Sequence, residues 1–156
     1  METAVPIGKF TAFFILYTLM SGVAHLSAAF TGAAWLVYFF TLLPFYAACI
    51  LYVLSYYSKN RLSKLRLKRL PLSLGLLFQI LTILVSPASC YGWHQGNSCY
   101  TLAQTYLGGQ SLVGFMGDHN GPAHWSLIEG MFPVALIAYL IAVGVFLKTI
   151  AYLRGS

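Results

Sequence analysis

Four nearly uncharged apolar stretches, each near the length needed to cross a bilayer, constrain this 156-residue sequence more than any motif in it. A hydrocarbon core about 30 Å thick takes about 20 residues of helix. The stretches at about 10–30, 34–57 and 131–153 reach that length. The stretch at about 72–86 is shorter and begins beside Pro71, which a first helical turn tolerates. Lipid offers no partner to an open backbone, so such runs are expected to be helical.

Composition supports the same reading, with 59% hydrophobic and only 8% charged residues. A disordered chain, a coiled coil or a nucleic-acid-binding module would need many more charges on its surface, so no nucleic-acid partner is expected. The expectation is one all-α domain: a polytopic integral membrane protein with four transmembrane helices in two antiparallel hairpins and a disulfide-stapled outer loop. Between the first two stretches lie only Thr31, Gly32 and Ala33, too few to carry the chain anywhere but back.

Charge sets the expected orientation. Six of the nine Lys and Arg residues fall in the segment 58–71: Lys59, Arg61, Lys64, Arg66, Lys68 and Arg69. The positive-inside rule places this basic loop in the cytoplasm, and with four spans both termini follow it. Leu62, Leu65 and Leu67 interleave with the cations, as in a segment lying on anionic lipid. The first apolar run follows Lys9 and ends in small residues, but it exceeds a signal-peptide core and is expected to stay as the first anchor. Trp35, Trp93 and Trp125 then map to the outer interface, and Tyr56, Tyr57 and Tyr152 to the inner one.

The outer segment, 87–130, is too long for a simple connection and is where local chemistry is expected. Cys90 and Cys99 would lie in an oxidising compartment, so a bridge between them is predicted, worth roughly 2 to 3 kcal/mol by loop closure. Their spacing does not suit Cys-x-x-Cys redox chemistry. Cys49 reads as a small buried apolar residue. Residues 100–107 read as an interfacial helix with Leu102, Tyr106 and Leu107 toward the membrane. Pro44 is expected to kink the second span and open a crevice, and Ala135, Ala138, Ala142 and Gly144 to admit close helix packing in the last.

Asp118, His119, His124 and Glu129 form the densest polar cluster, with the lone pairs and titratable protons that metal binding or acid/base catalysis requires. His119, His124 and Asp118 are the candidate metal ligands. The competing reading is a turn built by Asp118 and Asn120, with His124 and Trp125 as interfacial anchors. His25 is the ionisable side chain deepest within a span, which makes it a candidate cofactor ligand; the alternative is a hydrogen bond across the bundle to Gln79 or Thr82. Two facing histidines for an intrinsic haem are missing, which leaves a transition metal, or a haem or pigment shared with a partner chain. The preferred expectation is a non-catalytic accessory or structural subunit that docks on other membrane protein subunits through helix faces and the outer segment, with anionic lipids at the basic face. The alternatives are a membrane enzyme or metal-binding protein with an outward-facing site, and a binder of a lipid-like molecule in the Pro44 crevice.

Overall fold

The computed structural model describes residues 2–59, 64–90, 99–107 and 124–152, and these are mostly helical. In chain order they form β1 (Glu2–Pro6), α1 (Ile7–Ser27), α2 (Gly32–Val37), a π-turn (Tyr38–Leu42), α3 (Leu43–Lys59), β2 (Lys64–Lys68) and α4 (Arg69–Leu84). There follow β3 (Pro87–Ser89), β4 (Tyr100–Thr101), α5 (Leu102–Leu107), α6 (Ser126–Glu129) and α7 (Phe132–Tyr152). Among the described residues three rods are long and apolar enough to cross a membrane: α1, the continuous Gly32–Lys59, and α7 as far as Ile150. With its 16 residues α4 is shorter, about 24 Å at the helical rise.

Caps and prolines decide where these rods begin and end. Pro6 precedes the first residue of α1, and Thr31 caps α2 by accepting the Ala34 N–H at 3.2 Å. The turn is therefore 28–31, and α1 begins and ends about three residues earlier than the 10–30 expected. Composition cannot separate Ala28 and Ala29 from helix, whereas a threonine N-cap contributes about 1 kcal/mol. Pro71 falls in the first turn of α4, where N–H groups lack intrahelical partners anyway. Pro87 disfavours helical backbone at Ser86 and stops α4 short of a full span.

Pro44 does not break its helix. Its ring would crowd the carbonyl of Phe40, and the wider π-turn just before it absorbs that misfit while the rod runs on to Lys59. A cavity of the fold lies elsewhere, between α1, α4 and α7.

The basic segment departs most from expectation. Residues Lys64–Lys68 are a strand, paired antiparallel with β1 in the register Glu2↔Lys68 to Pro6↔Lys64. Leu65 is buried, and Val5 and Leu67 pack against the core, so these leucines face protein. Lys59, Lys68 and Arg69 are exposed, and Arg61 lies outside the described residues. The alternation Lys-Leu-Arg-Leu-Lys has the period of two that a half-buried strand requires.

At the other end a second small ribbon pairs Pro87 with Thr101 and Ser89 with Tyr100, and the expected Cys90–Cys99 disulfide closes it. Cys49 is free and buried, also as expected. Thr31 donates to the Pro87 carbonyl at 3.2 Å and Ser86 to the Ala28 carbonyl at 3.4 Å, tying this ribbon to the α1–α2 turn. Of residues 100–107, Leu102–Leu107 are helical as expected, while Tyr100 and Thr101 belong to the strand before them. Leu102 is buried against Ala28 and Ala88, whereas Tyr106 and Leu107 are exposed.

Within the bundle α1 packs on α3 and α4 on α7. Gly8 lies beside Tyr57 and Gly22 beside Tyr46, so α1 and α3 meet in opposed order along their lengths. Phe10, Phe14 and Phe146 fill the core between α1 and α7. Of the small residues in α7, Ala135 is buried, but a side chain at Gly144 would meet nothing within 4 Å, so Gly144 is not a close-approach site. Phe13, Met20, Phe40 and Leu51 are among many large apolar side chains left exposed, a surface suited to lipid.

Candidate functional site

The described residues hold two polar clusters, one inside the bundle and one at its disulfide end. The inner cluster centres on the hydroxyl of Ser21, which lies 2.6 Å from the Tyr46 hydroxyl and 3.1 Å from that of Tyr139. Tyr46 and Tyr139 are themselves 2.8 Å apart, closing a ring of three O–H groups, each with one proton to donate and lone pairs to accept. Gln79 donates its Nε2–H to Ser21 at 2.9 Å and accepts from the Tyr17 hydroxyl at 2.7 Å. Tyr17 also approaches Tyr139 at 3.2 Å. One contact set thus joins α1, α3, α4 and α7, which is what a polar group in an apolar interior requires.

His25 adjoins this ring, and its Nδ1 lies 3.5 Å from the Tyr46 hydroxyl on α3. Its Nδ1–H donates to the Ser21 carbonyl one turn earlier at 2.8 Å, while Thr82 donates to the Phe78 carbonyl and Gln79 serves Ser21 and Tyr17. Neither of the partners expected from sequence binds it, because its own helix satisfies Nδ1. The tautomer that donates from Nδ1 carries its lone pair on Nε2, and Nε2 is buried without a hydrogen-bond partner among the described residues. The ring is 0% exposed, edge-on to Tyr38 at 5.2 Å and tilted against Tyr139 at 5.4 Å.

The outer cluster is built on α5, α6 and the turn before α6. Thr101 and Gln104 form a reciprocal helix cap: Gln104 Oε1 accepts the Thr101 N–H at 2.8 Å, and Thr101 Oγ1 accepts the Gln104 N–H at 3.3 Å. Gln104 then donates Nε2–H to Glu129 Oε1 at 2.7 Å. Glu129 also accepts the Trp125 N–H at 2.8 Å and faces His124 Nδ1 at 3.1 Å. Burial by itself would raise the Glu129 carboxyl, but the hydrogen bonds from Gln104, Trp125 and His124 outweigh it and hold the group below its ordinary value. Tyr100 stacks on the His124 imidazole with centroids 4.2 Å apart.

Of the candidate metal or acid/base set, the structure brings together His124 and Glu129. Asp118 and His119 lie outside the described residues, as do His94 and Trp93. No group of three metal-ligating side chains occurs among the described residues. The Glu129 carboxylate accepts from His124 Nδ1, an orienting role that acidic groups commonly play for histidine, and in the neutral ring this puts the lone pair on Nε2. His25 shares no contact with this pair. Tyr17, Tyr46 and Tyr139 were not singled out by sequence, since tyrosine is common in membrane helices and nothing in its spacing marks a shared site. The Thr101-x-x-Gln104 pattern was readable as a capping box. No protein-family model, curated protein or solved structure matches the chain.

Proposed function

We propose that this chain is a four-span integral membrane protein serving as a non-catalytic subunit of a larger membrane complex, with α4 as the short third span, the β1–β2 ribbon on the cytoplasmic side and the disulfide in an oxidising compartment. The observation that carries this reading is the use of the buried polar groups. Ser21, Tyr46, Gln79 and Tyr139 bond to one another and Glu129 accepts from three donors, so the polar chemistry is spent on joining helices. The docking face falls on the rod Gly32–Lys59, whose most apolar part is 28% buried against 39% for α1 and 44% for α7. On it Trp35 and Phe39 stack 5.5 Å apart, with Phe40 edge-on to Phe39.

Purification in a gentle detergent, with mass spectrometry of what co-purifies, tests the reading. A stoichiometric membrane partner is expected, to be lost on Trp35→Ala with Phe40→Ala, since both side chains are largely exposed and neither supports the core. A chain that runs alone and carries a transition metal would contradict it. The Glu129-oriented His124 favours that second reading, an outward-facing metal or acid/base site, and His124→Ala would then remove the metal.

A further inference from the structure

Between α1, α4 and α7, a cavity of about 410 Å³ opens at the end of the bundle that carries the β1–β2 ribbon. Its volume is in the range of about 300–1,000 Å³ common to small-molecule sites. On α1 the wall runs from Phe10 to Tyr17, about 10 Å along the axis. Above it α1 and α4 are joined through Tyr17, Ser21 and Gln79, and below it Val5 and Leu67 of the ribbon form the floor. Phe13, Leu72 and Leu76 on the wall are exposed, so the cavity is open sideways to whatever surrounds the helices.

Two observations say what fills it. Gly75, in the middle of α4, lines the cavity, and a Cβ placed there would meet nothing within 4 Å. Glycine weakens a helix interior by about 1 kcal/mol relative to alanine, and here no close backbone approach calls for it; its effect is to keep the wall recessed. No cation lines the slot itself, but exposed cations adjoin its lining in sequence: Lys68 and Arg69 follow Leu67 of the floor, with Arg69 one helical turn before Leu72, and Lys9 stands one turn before Phe13 on α1. Glu2, the strand partner of Lys68 by backbone register, is the one acid on the ribbon. An apolar slot with exposed cations next to its lining in the chain is complementary to an amphiphile with a negative head.

We infer that this cavity is a binding site for an anionic phospholipid, one acyl chain lying along Gly75 between α1 and α4 and the phosphate held at Lys68 and Arg69. The inference rests on the membrane-spanning reading but not on the accessory role. Each surface cation near an anionic headgroup strengthens binding by roughly fivefold. Neutralising both should therefore weaken the preference for an anionic head by roughly twenty-fivefold.

The test is photolabelling of the full chain in phosphatidylcholine vesicles with a minor share of a diazirine-acyl phosphatidylglycerol or its phosphatidylcholine counterpart, with adducts mapped by mass spectrometry. Phosphatidylglycerol is expected to label the Phe13 and Leu76 walls in strong preference to phosphatidylcholine. Gly75→Leu should abolish that labelling by filling the slot. Lys68→Gln with Arg69→Gln, on exposed positions that leave the fold intact, should equalise the two lipids. Equal labelling of the wild-type groove by both lipids, or labelling that Gly75→Leu leaves unchanged, would overturn the proposal, as would adducts confined to outward positions such as Met20 and Ile141. A groove refractory to both lipids while the outward positions react would place a protein helix there instead. Absence of labelling anywhere on the helices would reject the membrane-spanning reading itself.

Discussion

Replacing Tyr139 with phenylalanine removes one oxygen and leaves the ring in place against His25 and Tyr46. That oxygen touches the hydroxyls of Tyr46 at 2.8 Å, Ser21 at 3.1 Å and Tyr17 at 3.2 Å, so three contacts go with no cavity created. Hydrogen bonds between membrane helices average about 0.6 kcal/mol, with a maximum of about 1.7. The expected loss is about 2 kcal/mol, near thirtyfold in the ratio of folded to unfolded protein, with a ceiling of about 5. Tyr46→Phe loses two short contacts and should cost about 1 kcal/mol. The double variant should fall short of additivity by about 0.6, because the two tyrosines share a bond. Reversible unfolding in mixed micelles, followed by tryptophan fluorescence, measures all three against Tyr52→Phe, whose side chain is half exposed. A Tyr139→Phe effect below about 0.5 kcal/mol, equal to the Tyr52 control, would refute the idea that this ring joins the helices.

Three further outcomes concern the disulfide end. Cys90→Ser with Cys99→Ser should cost roughly 2 to 3 kcal/mol, and the loss should be mimicked by reducing the wild type, as read by unfolding with and without reductant. Gln104→Leu removes the acceptor of the Thr101 N–H and a donor to Glu129 together, and should loosen α5 by about 1 to 3 kcal/mol, visible as faster amide exchange at Leu102 to Tyr106. Since Glu129 is held below the ordinary glutamate value of about 4.3, its contribution is complete above that pH and is lost as pH falls below it through the lower folded value. Exchange protection around Trp125 should fall over that acid range, and Glu129→Gln should flatten the dependence.

The membrane character of the helices was legible because it depends on composition summed over whole turns, which neither caps nor neighbours can reverse. Their limits were not, because Thr31 and Pro87 act through single hydrogen bonds or single dihedral preferences that hydropathy does not register. Lys64–Lys68 carried its strand signal openly in Leu65 and Leu67, but an alternating cationic segment fits a lipid surface as well as it fits a sheet, and only the partner strand at Glu2–Pro6 decides between them. The Cys90–Cys99 bond was readable from spacing and compartment alone. The inner cluster was half visible: Ser21, His25 and Gln79 stand out as polar residues in apolar runs, whereas Tyr46 and Tyr139, 93 residues apart, meet only once α3 and α7 are packed. Of the outer set, the sequence cluster contained the His124–Glu129 contact, but Gln104, which completes it, comes from a helix 25 residues earlier.

The account stands on α4 crossing the bilayer despite its length, and labelling of single cysteines in sealed vesicles tests that most directly. Cys49 is buried and Cys90 is bonded to Cys99, so reporters at Lys68→Cys and Leu107→Cys, both exposed positions on opposite sides of α4 in the chain, can be read against a low background. A membrane-impermeant thiol reagent is expected to reach one reporter from outside and the other only after the vesicles are opened. Reaction of both from the same side would contradict the crossing, and with it the four-span reading.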